Sequence, residues 1–553
     1  MNDTNVNIAL TFSGGGYRAA AFSLGVLSYL DRLVVNDKSI LQHVTVLSTV
    51  SGGTITGAMY AIGLKENKSV EQIYKALLSF MKEKDLIALA MNELIADDNW
   101  NKGKQRNLIN AIANVYNLHL FRNAKFGTLL NDQTPIHLKH IIFNATEFNH
   151  ALPFRFQYSQ QILSPGREEP DRGIIGNFNL RVPQAIAENV RMAEILAASS
   201  CFPGGFEPLI FPNDFLLPKS QELDEIKKSG KYPVCLMDGG IVDNQGIGSV
   251  LLAEKRIKRN LIHEQDQIVE ERAIDLIIVS DVASPFLNPF LTTDVSGSKW
   301  WHTLTPKAIL LYNSFLLVVS LFLLIYSLLH GHTLLASFSS VMFTIALLIF
   351  FLGKHVRAIP RKFGVPAEFM QPIGKLLQLQ LGTYENMIFS RASSLVKMAT
   401  EIFLKHIRRL NYHQVFTDET WKNRRIMNAI YELKDLSKVH KKIQESNLPS
   451  DLYINHSISA VATVASEVGT TLWFTKEELK VHTSLGYDIP DIVIACGHFT
   501  ICWNLLEYIE KIKNDSTNTS DKHKILLGLE DQLRLHWIEF KKNPFWLVDQ
   551  LNR

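Results

Sequence analysis

Residues 6–19 read VNIALTFSGGGYRA and join three kinds of segment in a short stretch. The apolar run from Val6 to Phe12 has the length and composition of a buried strand. It stops at the glycine-rich tetrad 13–16, after which Tyr17 to Leu30 reads as a helix with small residues on its early turns. The stretch therefore predicts a strand, a glycine loop and a helix in immediate succession.

The same pattern, an apolar run that ends in small or polar residues, recurs further along the chain. VTVLSTV at 44–50 runs into SGG at 51–53, apolar residues 234–237 run into DGG at 238–240, and LIIV at 276–279 ends at Ser280-Asp281. Strand-like runs that alternate with helical stretches are typical of an α/β sheet protein. We therefore predict an α/β fold in which these strands lie side by side and the chemistry sits at their ends.

Ser51 is the candidate nucleophile. A serine hydroxyl is best activated on a tight turn at a helix N-terminus, where the helix dipole favours the developing anion and a base can reach the oxygen. TVSGG at 49–53 partly matches the G-x-S-x-G nucleophile elbow, with Thr49 in place of the first glycine. By itself the string is weak evidence, because Ser-Gly turns are common, and it favours a plain turn.

Gly14, Gly15 and Gly16 form a second, independent element. Successive glycine amides before a helix can hold an oxyanion or a phosphate. A dinucleotide-binding loop is the rival interpretation, but its third glycine would fall at Ala19, and no acidic residue ends a clear second strand about 20 residues on. The full G-x-x-x-x-G-K-[ST] pattern of a P-loop is also missing.

Three motifs in order, SGGGYRA at 13–19, TVSGG at 49–53 and DGG at 238–240, resemble those of the patatin-like phospholipase family. The resemblance covers residues 5 to about 285. It implies a three-layer α/β/α sheet fold in which a Ser/Asp dyad hydrolyses lipid esters. Carried over, the nucleophile is Ser51 and the group that activates it is Asp238.

The resemblance also assigns residues around the dyad. It implies an oxyanion hole built from the backbone amides of Gly14, Gly15 and Gly16. Arg18 occupies the family's arginine position and is expected to contact substrate. AASSCFP at 197–203 is similar to the family's loop before the dyad aspartate, which lies near the site.

Three positions depart from the family pattern. Ser13 stands where many members have Asp, Ala19 where they have Gly, and Thr49 where the elbow has its first Gly. None removes a reacting group, but a β-branched residue cannot take φ > 0 without strain, so Thr49 puts the tightness of the turn in question. Asp243 follows Asp238 closely and is an alternative base, with a solvated or turn-capping carboxylate as its other interpretation.

Other chemistries find little support. The spacing of the 18 histidines reveals no Ser/His/Asp candidate, and Cys496, His498 and Cys502 lie in an apolar stretch that favours core packing over zinc. No metal or other cofactor is expected. A net charge of +3 is too small for the positive field on which nucleic-acid binding usually rests.

The cellular setting is indicated by the cysteines and the first residues. The four cysteines show no C-x-x-C pairing, which fits a reducing compartment. Residues 1–7 are polar and lack a secretory signal pattern, so the chain is expected to start in the cytosol.

A membrane hairpin is predicted between Lys307 and Lys354, where no Asp, Glu, Lys or Arg occurs. The break at 330–332 leaves two spans, 308–329 and 333–352, each close to the ~20 residues that cross a bilayer. A pair of helices buried in a soluble core is the alternative. Basic residues flank both ends, which places both ends and the catalytic domain on the cytoplasmic side. The flanking basic residues are Lys299, Lys307, Lys354, Arg357, Arg361 and Lys362.

The predicted domain organisation has three parts. Residues 1–295 form the catalytic α/β domain, 296–362 the transmembrane hairpin, and 363–553 a helical C-terminal region. Part of the last region, about 455–510, is expected to complete the catalytic domain. A long amphipathic stretch after the hairpin, Ile373 to Leu410, has a basic polar face for which a solvated surface and a contact with anionic headgroups are both considered. Its basic residues include Arg391, Lys397, Arg408 and Arg409.

The predicted function is a membrane-anchored serine lipid acyl hydrolase of the phospholipase A or lysophospholipase type. Its partners would be the phospholipid substrate and the membrane. Because an unregulated phospholipase would damage its own membrane, we expect low basal activity or gating by an activating partner or ligand. The alternative is a catalytically silent patatin-fold membrane scaffold or lipid-binding protein.

Overall fold

The computed structural model describes the following residues of the chain: 6–96, 100, 104–160, 172–216, 223–224, 226, 233–265, 274–283, 299–362, 378–514 and 525–553. Within these, only the backbone is considered at 259–265, 353–362 and 399–401. The chain divides into two compact units. One combines Met1–Leu287 with Thr400–Arg553, and the other is Asn288–Ala399.

The strands and helices of the described residues are as follows. The strands are β1 Ile8–Phe12, β2 Val34–Val35, β3 Lys38–Ser39, β4 Val44–Val50, β5 His140–Glu147, β6 Leu152–Ser159, β7 Gly173–Gly176, β8 Arg181–Val182, β9 Leu209–Phe211, β10 Val234–Asp238, β11 Leu276–Asp281 and β12 Arg425–Ala429. The helices are α1 Gly16–Arg32, α2 Gly52–Lys65, α3 Val70–Glu83, α4 Leu86–Ile95, α5 Leu108–Tyr116, α6 Gly127–Leu130, α7 Gln184–Ala187, α8 Met192–Ser199, α9 Gly240–Asp243, α10 Ile247–Gln265, α11 Pro306–Leu329, α12 Thr333–Lys362, α13 Leu381–Lys397, α14 Leu404–Phe416, α15 Leu436–Glu445, α16 His456–Glu467, α17 Ile489–Asn514, α18 Glu530–Lys542 and α19 Trp546–Leu551.

The first unit is built on one mixed sheet with the strand order β12-β11-β1-β4-β5-β6-β7-β8. Strands β12, β11, β1, β4 and β5 are parallel neighbours, and β6 returns antiparallel to β5. The carboxyl ends of parallel strands meet at one edge of a sheet, which is where α/β proteins bind their ligands. The predicted elements at 13–16, 51–53 and 280–281 all lie at this edge.

The register around β5 brings two strand ends together. β6 pairs with the whole of β5 on one side. On the other side β4 ends with Val50 opposite Asn144, and β10 runs antiparallel to β5 and ends with Asp238 opposite Ala145. Strands β4 and β10 therefore run towards each other along the same side of β5 and stop at neighbouring positions, next to Ser51.

Two apolar cores lie on opposite faces of the sheet, because successive strand residues alternate between them. Ile8 and Leu10 of β1 belong to the larger core with α1 and α17. Ala9 belongs to the second core, which includes Ile247 and Val250 of α10. Helices thus cover both faces, as the predicted three-layer α/β/α fold requires.

Residues after the hairpin contribute to this unit. β12 adds a parallel strand at the edge of the sheet, and α17 packs against α1 at a point where only glycines fit. A Cβ on Gly25 would lie 2.2 Å from the Ile494 carbonyl oxygen, and one on Gly497 would lie 2.5 Å from that of Phe22. The part of the C-terminal region that packs into the first unit therefore extends beyond the predicted stretch at about 455–510.

The Cys496–Cys502 stretch is part of buried helix α17. His498 Nε2 lies 2.9 Å from the Ser28 hydroxyl, and both cysteines are free and buried. Within the described residues no cluster of His, Cys, Asp and Glu could hold a metal ion. Core packing accounts for these side chains.

Three helices of the described chain are long and apolar enough to cross a membrane, namely α11, residues 333–352 of α12, and α17. The apolar part of α17 is buried, whereas α11 and the 333–352 segment leave nearly all of theirs exposed. In the second unit α11 and α12 pair, and Asn313 Nδ2 donates to the Ala346 carbonyl at 3.0 Å. The predicted spans at 308–329 and 333–352 are thus both helical, with their large apolar side chains outward.

Candidate active site

Ser51 occupies the turn between β4 and α2 and is the N-cap residue of α2. It is buried and has φ 51°, a left-handed conformation that is rare outside glycine. Thr49 lies within β4, and its hydroxyl contacts that of Thr54 at 3.0 Å. The positive φ therefore falls on Ser51 itself, while Thr49, which put the tightness of the turn in question, lies within the strand.

The elbow packs directly onto the glycine loop. A Cβ on Gly52 would lie 2.0 Å from the Gly16 carbonyl oxygen, and one on Gly14 would lie 3.2 Å from the Ser51 Cβ. Neither position has room for a side chain. Because of this contact, the backbone of the loop lies beside the Ser51 side chain.

Ser199 supports the elbow from the end of α8. Its hydroxyl accepts the Ser51 amide at 2.9 Å and donates to the Asn144 carbonyl of β5 at 2.7 Å. The sequence indicated only the segment 197–203 and not this residue. The signal for Ser199 in the sequence is the polar Ser-Ser pair that follows the apolar residues 195–198.

Asp238 ends β10, and the nearby Ser51 side chain lowers the pKa of its carboxyl. Its carboxylate also accepts the Gly240 amide at 2.7 Å. Burial raises the pKa of Asp238 to about 6, and the nearby Ser51 side chain and the bond from the Gly240 amide oppose that rise. A carboxylate held in this way can take a proton from the serine near neutral pH.

Asp243, the alternative base, is engaged elsewhere. Its carboxylate accepts the amides of Ile247 at 3.1 Å and Gly248 at 2.8 Å, which caps the N-terminus of α10. It also accepts a bond from Asn411 Nδ2 at 3.1 Å. Burial raises the pKa of Asp243 to about 6 as well. These contacts favour its interpretation as a capping carboxylate.

The glycine-loop amides differ in their partners. The Gly14 amide donates to the Asn244 carbonyl at 3.0 Å. For the amides of Gly15 and Gly16, the described part of the chain provides no acceptor. Gly16 has φ +60° and Gly15 φ +145°, so both have conformations that favour glycine.

Arg18 is buried at the start of α1. Its guanidinium donates to the carbonyls of Ser466 at 3.3 Å and Val468 at 2.6 Å, at the C-terminus of α16. A cation there is stabilised by the helix dipole. Burial lowers the pKa of Arg18 to about 10. The structure thus places Arg18 against the C-terminal region. The sequence analysis predicted that this residue contacts substrate.

Helix α14 also reaches this edge of the sheet. Arg408 Nε donates to Asp281 Oδ2 at 2.7 Å, and the Tyr412 hydroxyl donates to the same oxygen at 2.8 Å. Asn411 donates to the Val242 carbonyl at 3.3 Å, in the short helix that follows the Asp238 turn. Arg408 is therefore a buried ion-pair partner and does not belong to an exposed basic face.

Gly16→Ala should disrupt the loop. A Cβ at Gly16 would lie 2.0 Å from the Thr471 carbonyl oxygen, and the positive φ adds backbone strain. We expect the variant to lose about 2–4 kcal/mol of unfolding free energy and most of any activity. Thermal unfolding of the purified protein measures the first effect.

Gly469→Ala is the matched control for Gly16→Ala. It lies just before Thr470 and Thr471, and a Cβ there meets open space. Its unfolding temperature should stay close to that of the parent. Equal stabilities of the two variants would contradict the tight packing of the loop against 470–471.

The patatin-like phospholipase family model matches residues 10–251. No curated protein matches the chain. A solved structure of human GIVD cytosolic phospholipase A2 is 14% identical with a TM-score of 0.31, and the match covers 52% of this chain and 47% of that chain. A second, of the same enzyme with methyl γ-linolenyl fluorophosphonate inhibitor and terbium chloride, is 17% identical with a TM-score of 0.27, covering 52% and 42%. The chain thus spans less than half the length of these structures. The family match confirms the predicted resemblance and α/β fold.

Proposed function

Since residues 10–251 form a patatin-like phospholipase domain, we propose that the chain is a membrane-anchored serine lipid acyl hydrolase of the phospholipase A or lysophospholipase type. The observation that carries the proposal is the placement of Ser51 and Asp238 at neighbouring strand ends beside the glycine loop. Their side chains come from two strand ends, which β5 aligns at neighbouring positions. The substrates would be fatty acyl esters of membrane phospholipids.

The reaction would proceed in two steps. Asp238 accepts the Ser51 proton as the serine oxygen attacks the ester carbonyl, and the proton then passes to the departing alcohol. Water, activated by the same carboxylate, releases the fatty acid from the acyl-enzyme. The left-handed conformation of Ser51 and its bond to Ser199 would hold the nucleophile in place between the two steps.

The oxyanion hole would use the glycine loop. Of the three predicted residues, Gly15 and Gly16 are the proposed donors, because the Gly14 amide is bound to the Asn244 carbonyl. Gly14 would then fix the loop against Ser51. Arg18 would act as a positioning residue, since its bonds to 466 and 468 hold the C-terminal segment whose Thr471 carbonyl accepts the Tyr17 amide at 2.7 Å.

Helices α11 and α12 would anchor the enzyme as a two-span hairpin. Their exposed leucine and phenylalanine side chains would be costly in water and are suited to lipid. Lys299 and Lys307 precede the first span, and α12 runs on to Arg361 and Lys362 beyond the second. The positive-inside rule then places both ends of the hairpin and the catalytic unit on the cytoplasmic side.

Activity should depend on pH through Asp238. Its carboxylate must be ionised to accept the serine proton, and its pKa is raised to about 6. We expect kcat/KM to be level above this value and to fall about tenfold per pH unit below it. A pH–rate profile on a soluble ester measures this dependence. Asp243→Asn should leave the acidic fall in kcat/KM unchanged. A rate that is constant down to about pH 4.5 would exclude Asp238 as the base.

Fatty acid release from mixed phospholipid vesicles by the purified chain tests the function. We expect release of free fatty acid from at least one phospholipid or lysophospholipid class, at a low basal rate. Adding cytosolic extract tests for an activating partner or ligand. The silent-scaffold alternative predicts vesicle binding without release under any of these conditions.

A further inference from the structure

Helix α13, Leu381–Lys397, has an apolar face that the described residues leave uncovered. None of its residues is buried. At 100° per residue, all of its large apolar side chains except Met387 fall within an arc of about 140°. Four of them, Ile388, Phe389, Leu395 and Val396, are 58–64% exposed. Together with Leu381, Tyr384 and Ala392 they define the apolar face of α13.

The start of α13 is fixed to the segment that precedes the first span. The Leu381 amide donates to the Leu304 carbonyl at 2.8 Å. His302 Nε2 lies 3.0 Å from Glu385 Oε2, which gives the one acidic residue of α13 a partner. A Cβ on Gly382 would lie 3.0 Å from that of His302. Since α11 begins at Pro306, α13 starts at the level where the chain would enter the bilayer.

The surroundings of that attachment are those of a membrane interface. Trp300 is 79% exposed, and Lys299 Nζ lies 5.4 Å from the centre of the Trp301 ring. Tryptophan and lysine are the residues that anchor membrane proteins at headgroup level. The side of α13 away from the apolar face carries hydroxyl, amide and basic groups, among them Thr383, Ser394 and Lys397.

We propose that α13 is a membrane-interface helix whose apolar face inserts at the boundary between headgroups and acyl chains of the bilayer that α11 and α12 cross. The proposal rests on the proposed hairpin anchor. An amphipathic helix of this kind lies in the interface plane with its apolar face buried by lipid. The hairpin delivers the start of α13 to that depth, which favours lipid over a second protein as the occupant.

Environment-sensitive labelling of the full chain in phosphatidylcholine–phosphatidylserine vesicles tests this. A nitrobenzoxadiazole label is attached through Ile388→Cys or Leu395→Cys on the apolar face, in a Cys235→Ser background because the other three cysteines are buried. Thr383→Cys and Ser394→Cys, on the opposite face, are the matched controls. We expect a blue-shifted emission and quenching by headgroup-depth spin-labelled lipid for 388 and 395 alone.

The outcomes separate the two proposals. Water-like emission at 388 and 395 overturns the interface helix, as does a blue shift without lipid quenching, which indicates a protein partner. A label at Phe322→Cys in α11 reports on the hairpin independently, because deep spin-labelled lipid quenches it only if α11 is inserted. Quenching at 322 with none at 388 therefore removes the interface helix and keeps the anchor.

Discussion

Replacing Ser51 with alanine is expected to lower fatty acid release by about 10³-fold or more. The change removes the only oxygen that can form the acyl-enzyme in the proposed mechanism, and catalysis that remains comes from binding and the glycine amides. The substitution is small, and alanine keeps the volume that the elbow leaves for a side chain. Initial rates of release from vesicles measure the effect.

Ser23→Ala is a suitable control for Ser51→Ala, because it removes another buried hydroxyl, in helix α1. Its rate should be close to that of the parent. The far-ultraviolet circular dichroism of both variants checks that the fold is retained. A folded Ser51→Ala protein that still releases fatty acid at the parent rate would mean that another residue is the nucleophile.

Asp238→Asn is expected to cause a similar loss, about 10³-fold or more, because an amide cannot accept the serine proton. Asp243→Asn provides a closely matched comparison. Both carboxylates are buried and both have a pKa raised to about 6, but Ser51 affects the pKa of Asp238 and not that of Asp243. An asparagine at 243 retains one of the two oxygens that accept the amides of Ile247 and Gly248, and the proposed base is unchanged, so most of the activity should remain.

The two aspartate variants discriminate between the candidate bases. Loss of activity in Asp243→Asn with retention in Asp238→Asn would reverse the assignment. Equal losses with reduced stability in both would point to a structural role for each carboxylate. Thermal unfolding of the two proteins is therefore measured alongside the rates.

The strand ends were predictable because local patterns determine them. Apolar runs that stop at SGGG, SGG and DGG specify buried strands followed by turns, and the structure has β1, β4 and β10 at these places. The order of the motifs then indicated the family. The glycines at 14–16 were recognisable as a run in the sequence. The structure shows why glycine is needed there, since a Cβ would lie within 2.5 Å of a neighbouring atom at each of the three positions.

Contacts across long sequence separations were not predictable. Nothing local indicates that Arg408 pairs with Asp281, so its charge was assigned to an exposed face. The bond from Ser199 to the Ser51 amide depends on how α8 meets β4. Strand β12 is short and follows a largely helical stretch, and its pairing with β11 is specified only by the folded sheet.

The proposed membrane parts depend on a different kind of signal. The absence of charge from 308 to 353 predicts apolar helices, and exposure distinguishes α11 and α12 from α17, which is also apolar enough to span a membrane but is buried. Composition alone would not separate these helices, since all three satisfy the same length and hydropathy criteria. The uncovered face of α13 likewise becomes visible only when the packing of its neighbours is known.

The measurement that tests the central claim most directly is the site of covalent modification by a long-chain alkyl fluorophosphonate. The intact chain is treated in detergent–phospholipid micelles, digested, and the adduct located by tandem mass spectrometry. We predict one adduct on Ser51, lost in Asp238→Asn and retained in Asp243→Asn. An adduct on another serine would contradict the Ser51–Asp238 dyad. So would inhibition of fatty acid release by the probe while Ser51 stays unmodified.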